Sequence, residues 1–205
     1  MHKLIYWTVW SLARSVAWLV YGLKMFNRQY VPATGPVIIA SNHQSYLDPP
    51  VVSISISREV HFFAKEELFR IFGLGWLITE LNSIPVRRGV YDPKSIKGVL
   101  AALEQGGALI LFPEGTRGNG VDFLPPKPGI GLIARHGRVP IVPTYVYRSP
   151  RTAASLWRRR INVRFGPPIS ADQVVGFADD RDGFQALAEL VMTRIADIRR
   201  EVQKG

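Results

Sequence analysis

Residues 37–50 read VIIASNHQSYLDPP and join an apolar run to a polar turn and a pair of prolines. The four apolar residues at the start are typical of a buried strand, which ends where the polar residues begin. Proline is tolerated in the first turn of a helix and excluded from its interior. Pro49 and Pro50 therefore predict a helix that begins near Asp48, with the Asp48 side chain as its N-cap.

The same turn can bring a histidine and an aspartate together. On a continuous helix, residues five positions apart lie about 140° apart around the axis, so His43 and Asp48 meet only if a turn separates the strand from the helix. The carboxylate then accepts a hydrogen bond from one imidazole nitrogen and leaves the other to take a proton from a hydroxyl. The pair is predicted to be the His-Asp half of a catalytic triad whose alcohol comes from the substrate. A structural histidine beside a helix N-cap is the alternative.

The composition is that of one globular domain with an excess of positive charge. Of the 205 residues, 47% are hydrophobic and 20% are charged, which is enough for one sizeable core. A formal net charge of +10 indicates an anionic partner, which can be nucleic acid, an acidic membrane surface or a phosphorylated ligand. The absence of cysteine excludes disulfides, a cysteine nucleophile and thiolate metal sites. The four histidines form no HExxH pattern, so neither a metal nor another cofactor is predicted.

Beyond residue 36, strand candidates alternate with helix candidates. Strands are predicted at residues 37–41, 60–64, 84–87, 108–112, 139–147 and 161–165. Helices are predicted at residues 49–57, 66–72, 93–105, 129–136 and 182–202. This order predicts an α/β fold, with a largely parallel or mixed open sheet flanked by helices. Ligands of such sheets gather at the carboxyl ends of the strands, where the histidine of the first turn lies.

The N-terminal stretch, residues 4–26, is apolar, rich in aromatic residues and predicted to be one helix. Its polar and small residues fall within one arc, formed by Thr8, Ser11, Arg14, Ser15 and Gly22. A spanning helix would place Arg14 near the bilayer centre, at a cost of about 2.5–3.5 kcal/mol. We therefore expect an amphipathic membrane helix in residues 1–27 that lies in the interface with Arg14 on the water side, followed by the globular domain in residues 28–205. A signal peptide and a buried core helix are the alternatives.

Two further strand ends carry groups suited to phosphate. A glycine, a hydroxyl and a guanidinium follow the strand at 108–112, as Gly115, Thr116 and Arg117. The strand at 84–87 ends in a second basic group, the pair Arg87 and Arg88. Each pattern alone is typical of a solvated rim. Together they place cationic groups at the edge of the sheet where the predicted base lies, as phosphate recognition requires.

Four motifs stand in order along the chain: Asn42-His43 with Asp48, NSIPVRR at 82–88, FPEGTR at 112–117 and VPIVP at 139–143. In these motifs the chain resembles the 1-acyl-sn-glycerol-3-phosphate acyltransferase family, of the bacterial PlsC type. The similarity extends from about residue 32 to 168, and Arg88 takes the place of the arginine in the second motif. Asn82 stands where the family usually has glycine, and Arg87 where it often has an acidic residue.

The resemblance implies an enzyme that moves a fatty acyl group from acyl-CoA or acyl-carrier protein to the free hydroxyl of lysophosphatidate. It makes His43 the general base and Asp48 its partner. It implies that the substrate-binding residues are Lys65, Arg88, Glu114, Gly115, Thr116 and Arg117. Lys127 is implied as a weaker candidate for a phosphate ligand. Glu114 is expected to bind the acceptor glycerol or orient an arginine, or else to be a buried ion-pair partner. No metal or other cofactor is implied.

Most of the excess positive charge lies in residues 123–171, which contain no acidic residue. The basic residues there are Lys127, Arg135, Arg138, Arg148, Arg151, Arg158, Arg159, Arg160 and Arg164. An anionic membrane surface explains this charge together with the apolar first helix, so we expect a monotopic protein at the cytoplasmic face of the bacterial inner membrane. Few aromatic residues accompany the arginines, so no nucleic-acid partner is expected. Another lyso-lipid acceptor, or a basic membrane- or nucleic-acid-binding protein without catalysis, is the alternative.

Overall fold

The computed structural model describes residues 2–86, 92–119, 122–148 and 160–204. Its strands are β1 Lys24–Phe26, β2 Val37–Ser41, β3 Val60–Lys65, β4 Ser83–Val86, β5 Ala108–Leu111, β6 Ile141–Arg148 and β7 Ile161–Phe165. They form one seven-stranded sheet in the order β1-β7-β6-β2-β5-β3-β4. The five strands from β6 to β4 are parallel, whereas β7 is antiparallel to β6 and β1 follows the direction of β7. The predicted α/β fold with a mixed open sheet is therefore confirmed.

Helices cover both faces of the sheet. They are α1 His2–Tyr21, α2 Asp48–Ile54, α3 Leu74–Glu80, α4 Pro93–Glu104, α5 Gly129–Gly137, α6 Ala171–Val175 and α7 Arg181–Lys204. Two 3-10 helices, Arg28–Tyr30 and Glu66–Arg70, lie in the connections. The second of them was predicted as an α-helix at 66–72, and α3 and α6 were not predicted.

The central strand β2 separates two hydrophobic cores. Because side chains alternate along a strand, Ile38 and Ala40 point to one face and pack with α4, α5 and α7. Val37 and Ile39 point to the other face and pack with α2 and part of α1. All five residues of β2 are buried, so the turn that follows this strand starts from the middle of the domain.

The first helix is shorter than predicted. It ends at Tyr21, because Gly22 has a left-handed backbone with φ of 55° and redirects the chain. Residues 24–26, which were expected to continue the helix, pair with β7 as strand β1. This three-residue strand at the sheet edge forms because β7 lies beside it. The local sequence does not show that such a partner is present. The domain boundary at residue 27 stays a prediction.

One face of α1 packs on the domain and the other is exposed. Trp10 Nε1 lies 3.2 Å from both the Ser53 and the Ile56 carbonyl oxygens. Arg14 is half-buried, stacks on Trp10 and donates to the Ile54 oxygen at 3.5 Å. Its predicted position on the water side of a membrane-bound helix stays a prediction. The exposed residues of α1 include the apolar Leu4, Leu12, Val16, Trp18, Leu19 and Val20, together with the polar Thr8, Ser11 and Ser15.

None of the helices in the part of the chain that the structure describes is long and apolar enough to cross a membrane. The binding of α1 to one face of a bilayer stays a prediction.

Candidate active site

Asn42 fixes the place where β2 ends. Its side-chain amide donates to the Val146 oxygen at 3.0 Å and accepts from the Val146 nitrogen at 2.8 Å, which continues the contact between β2 and β6 through a side chain. The amide is fully buried, so both hydrogen bonds are shielded from water. The chain can therefore leave the sheet at His43 without breaking its attachment to β6. Sequence reasoning noted Asn42 only as part of a motif and missed this role.

The predicted contact between His43 and Asp48 is present. Asp48 Oδ2 lies 3.2 Å from His43 Nδ1 and also accepts from the backbone nitrogens of Gln44 and Ser45, at 2.6 and 2.7 Å. An ionised carboxylate only accepts, so it favours the tautomer with the proton on Nδ1 and leaves Nε2 as an acceptor. Both side chains are buried, and this arrangement suits a general base.

The predicted N-cap role of Asp48 is wrong by one residue. The N-cap is Leu47, whose backbone is already helical and whose side chain caps nothing, and Asp48 is the first residue of α2. The Asp48 carboxylate turns back toward the N–H groups that precede it in the turn. It thereby holds the turn and the imidazole together.

Glu114 holds the His43 backbone from the neighbouring strand end. Its Oε1 accepts from the His43 nitrogen at 2.8 Å and its Oε2 accepts from the Leu124 nitrogen at 2.9 Å. The Gly118 nitrogen donates to the His43 backbone oxygen at 2.8 Å. The loop after β5 therefore bonds both the N–H and the C=O of His43. Glu114 is only 1% exposed. In the structure the carboxylate bonds backbone N–H groups behind the histidine, and its expected contact with substrate or an arginine stays a prediction.

The His43 ring faces an apolar cleft of about 310 Å³. Phe112 stacks on the imidazole, with ring centroids 4.2 Å apart and an angle of 27° between the planes. The other lining residues include one cation and many apolar side chains: Lys127, Pro49, Phe63, Val86, Ile110, Leu111, Ile130 and Ile133. Mostly apolar side chains with a few polar groups are the usual lining of a small-molecule site.

Gly115 makes room for the lysine of this cleft. Its φ of 66° lies in the left-handed region, and a Cβ there would lie 2.9 Å from Lys127 Cδ. The backbone nitrogen of Lys127 donates to the backbone oxygen of Pro113 at 2.8 Å, which fixes the backbone of Lys127 and Pro113 relative to each other. Lys127, which the sequence analysis gave as a weaker candidate, is therefore a cation that lines the same cleft as His43.

A second cavity, of about 450 Å³, lies on the other side of Asp48. Its lining is more polar and includes Gln44, Tyr145, Tyr147 and Arg148. Burial raises the pKa of Tyr145, which keeps its phenol protonated near neutral pH. His43 lines the apolar cleft and does not line this cavity.

The family model described as Acyltransferase matches residues 22–147, which contain β2, the histidine turn and the loop after β5. The chain belongs to the Acyltransferase family. The family that the motifs predicted is thereby confirmed.

Two relatives of this acyltransferase are named 1-acyl-sn-glycerol-3-phosphate acyltransferase. The protein of Bacillus subtilis (strain 168) is 27% identical over 186 residues, which cover 89% of this chain and 91% of that protein. The protein of Streptococcus pneumoniae (strain ATCC BAA-255 / R6) is 30% identical over 173 residues, which cover 82% of this chain and 62% of that protein. The chain thus spans nearly all of one relative and less than two thirds of the other.

A solved structure shares the fold. The crystal structure of the 1-acyl-sn-glycerophosphate (LPA) acyltransferase, PlsC, from Thermotoga maritima is similar with a TM-score of 0.69 and 24% sequence identity. The similar region covers 93% of this chain and 80% of that chain. At this identity the likeness shows the fold alone, and it includes the sheet that carries the histidine turn.

Of the other predicted site residues, Arg117, Lys65 and Thr116 lie within the described residues, and none of these three lines the cleft. The Arg117 guanidinium lies 3.3 Å from the ring centroid of Tyr46, which ties the loop after β5 to the histidine turn. Lys65 ends β3 and Thr116 follows Gly115; both are exposed, and neither lines the cleft. Arg88 lies outside the described residues.

The strand that precedes Arg88 in the sequence lies within the described residues. β4 ends at Val86, which lines the cleft. Before this strand, Asn82 has a left-handed backbone with φ of 59°. Asparagine is one of the few residues besides glycine that adopt this conformation readily, which explains why it can stand at the family's glycine position.

Within the described ranges, no three His, Asp or Glu side chains cluster as metal ligands would.

Proposed function

We propose that this acyltransferase moves a fatty acyl group from a thioester to the free hydroxyl of lysophosphatidate, giving phosphatidate. The observation that carries the proposal is the position of His43, with Nδ1 on Asp48 and the ring in an apolar cleft that also contains Lys127. A base beside an apolar cleft with one cation suits a lipid hydroxyl that lies near a phosphate. The names of both relatives support the same acceptor.

In the proposed reaction, His43 Nε2 accepts the hydroxyl proton while the hydroxyl oxygen attacks the thioester carbonyl carbon. The carbon–sulfur bond then breaks, and the imidazolium returns the proton to the departing thiolate. No covalent acyl-enzyme is formed. Asp48 stabilises the imidazolium through Nδ1, and the stacked ring of Phe112 favours its positive charge. Acyl-CoA and acyl-carrier protein both supply a suitable thioester.

We assign the acceptor phosphate first to Lys127. Within the described ranges its ammonium group has no carboxylate partner, and it lies at the cleft. Arg117 is the second ligand, because a guanidinium that stacks on Tyr46 still presents its N–H edge to phosphate oxygens. Arg88 is proposed as a third ligand from the motif alone, with Lys65 and Thr116 at the rim. Most of the rate acceleration would then come from orientation and proton transfer.

The acceptor keeps its acyl chain in a bilayer, so the cleft has to lie at headgroup depth. We propose that the exposed apolar face of α1 rests in one leaflet, at the cytoplasmic face of the bacterial inner membrane. The net charge of +10 favours an anionic surface there.

The test is an acyl-transfer assay with labelled acyl-CoA and acyl-carrier protein as donors, and lysophosphatidate or lysophosphatidylcholine as acceptor. Transfer to lysophosphatidate is expected, faster than to the choline lipid. Transfer to the choline lipid alone would assign the site to another lyso-lipid. No transfer to either lipid, together with salt-sensitive DNA binding, would favour a basic binding protein without catalysis.

A further inference from the structure

The link between the 3-10 helix Glu66–Arg70 and α3 exposes contiguous apolar side chains. Phe72 is fully exposed, and Ile71 and Trp76 are 50% and 58% exposed. No residue from 71 to 79 is charged. Single exposed apolar residues are ordinary, whereas a contiguous group marks a binding surface. We call residues 71–76 the apolar turn.

The apolar turn has a fixed shape. Gly73 has φ of 75°, a conformation that favours glycine. The Gly75 nitrogen donates to the Ile71 oxygen at 2.8 Å, and a Cβ at Gly75 would collide with the Phe69 backbone carbonyl. The turn is therefore packed directly on the 3-10 helix before it. On this backbone the Phe72 side chain is fully exposed.

The elements that flank the apolar turn contact the strands of the cleft and α1. The 3-10 helix before the turn contacts β3 and β4, which contribute Phe63 and Val86 to the cleft. The helix α3, in which the turn ends, contacts α1, which exposes Leu4, Leu12 and Trp18. Two elements in contact thus present large apolar side chains to solvent, and one of them is connected to the strands that line the cleft.

We propose that the apolar turn inserts into the headgroup–acyl boundary of an anionic phospholipid bilayer and forms, with α1, a second membrane contact. Tryptophan is enriched at that depth, and a protruding phenylalanine reaches the acyl chains. The net charge of +10 attracts an anionic bilayer and repels a second copy of this chain. An anionic bilayer is therefore a better partner for the apolar turn than a second copy of the chain. The inference rests on the proposed function only in that a lipid acceptor requires the cleft to face a membrane.

A single reporter group can test this contact, because the chain has no cysteine. Phe72→Cys is labelled with nitrobenzoxadiazole, and Val175→Cys on α6, which is also exposed, is the matched control. Vesicles of equal parts phosphatidylglycerol and phosphatidylcholine are expected to raise the emission at position 72, with quenching by spin-labelled lipid, and to leave position 175 unchanged. Equal emission from both positions on vesicle-bound protein would overturn the proposal.

Vesicle flotation of Phe72→Ser gives a second measurement, with Val175→Ser as control. Phe72 is fully exposed and Val175 is 37% exposed, so serine at either position opens no cavity in the core and both variants are expected to fold. The vesicle affinity of Phe72→Ser is expected to fall about tenfold, from the loss of one inserted aromatic side chain. An unchanged affinity, or a dimer in light scattering that Phe72→Ser dissociates, would refute insertion.

The same label in a His43→Ala background separates this inference from the proposed function. That variant is expected to lose acyl transfer and to keep the emission change at position 72. Loss of the emission change, with the protein still folded and bound to vesicles, would contradict a membrane contact that is independent of catalysis.

Discussion

Replacing Glu114 by glutamine is expected to lower both stability and turnover, because this carboxylate holds the backbone of the histidine turn. Its oxygens accept the backbone N–H groups of His43 and Leu124 at 2.8 and 2.9 Å. The residue is 1% exposed, so water cannot replace either bond. A glutamine side chain offers one oxygen and one NH₂ group, so one of the two buried N–H groups would face another donor.

The magnitude follows from the loss of one charged acceptor. A buried donor left without an acceptor costs about 1–3 kcal/mol, and bonds to charged groups lie in the upper part of that range. We expect the free energy of unfolding to fall by about 2–3 kcal/mol, which lowers Tm by roughly 4–12 °C for a chain of this size. Because misplacement by about 1 Å can cost about 10²-fold in rate, kcat should fall by up to that factor.

Thermal unfolding by circular dichroism and steady-state kinetics with both substrates measure these effects. Glu104→Gln, at the exposed end of α4, removes the same charge without touching the turn and serves as the control. The expected pattern is a lower Tm and kcat with little change in the acceptor KM. A wild-type Tm combined with a raised acceptor KM would make Glu114 a substrate ligand, and the positioning role would be refuted.

Four further substitutions probe the other parts of the site. Asp48→Asn is expected to slow acyl transfer on the order of 10²–10⁴-fold, because an amide cannot stabilise imidazolium, and a near wild-type initial rate would contradict the pairing. Lys127→Met and Arg117→Ala should each raise the acceptor KM more than the donor KM in two-substrate kinetics, and the opposite pattern would move them to the thioester. Asn42→Ala leaves the buried N–H and C=O of Val146 unpaired and is expected to lower the free energy of unfolding by about 2–4 kcal/mol in urea, with an unchanged midpoint as the contrary result.

Features that depend on neighbouring residues could be predicted from the sequence. Strand β2 has the bounds predicted for it, Val37–Ser41. An apolar run that ends in polar residues and prolines is compatible with few local structures other than a buried strand followed by a turn. The contact between His43 and Asp48 was predictable for the same reason, since the strand end, the turn and the helix start lie within one short stretch.

Features that depend on distant partners could not be predicted. Residues 24–26 form a strand only because β7 lies beside them. Glu114 and Asn42 act through backbone groups of other loops and strands, which no local pattern identifies. Arg14 stacks on Trp10 and donates to the Ile54 oxygen of α2, and helical periodicity cannot show which neighbouring element a helix face contacts.

The most direct test of the general-base claim is the rate of acyl transfer to lysophosphatidate by His43→Ala, measured beside its circular dichroism spectrum and Tm. The imidazole lies at the surface of the cleft and its removal takes away the base while the backbone bonds of the turn to Glu114 and Gly118 remain. We predict a rate about 10²–10⁴-fold lower or undetectable, with the fold retained. A near wild-type rate from the folded variant would contradict the account.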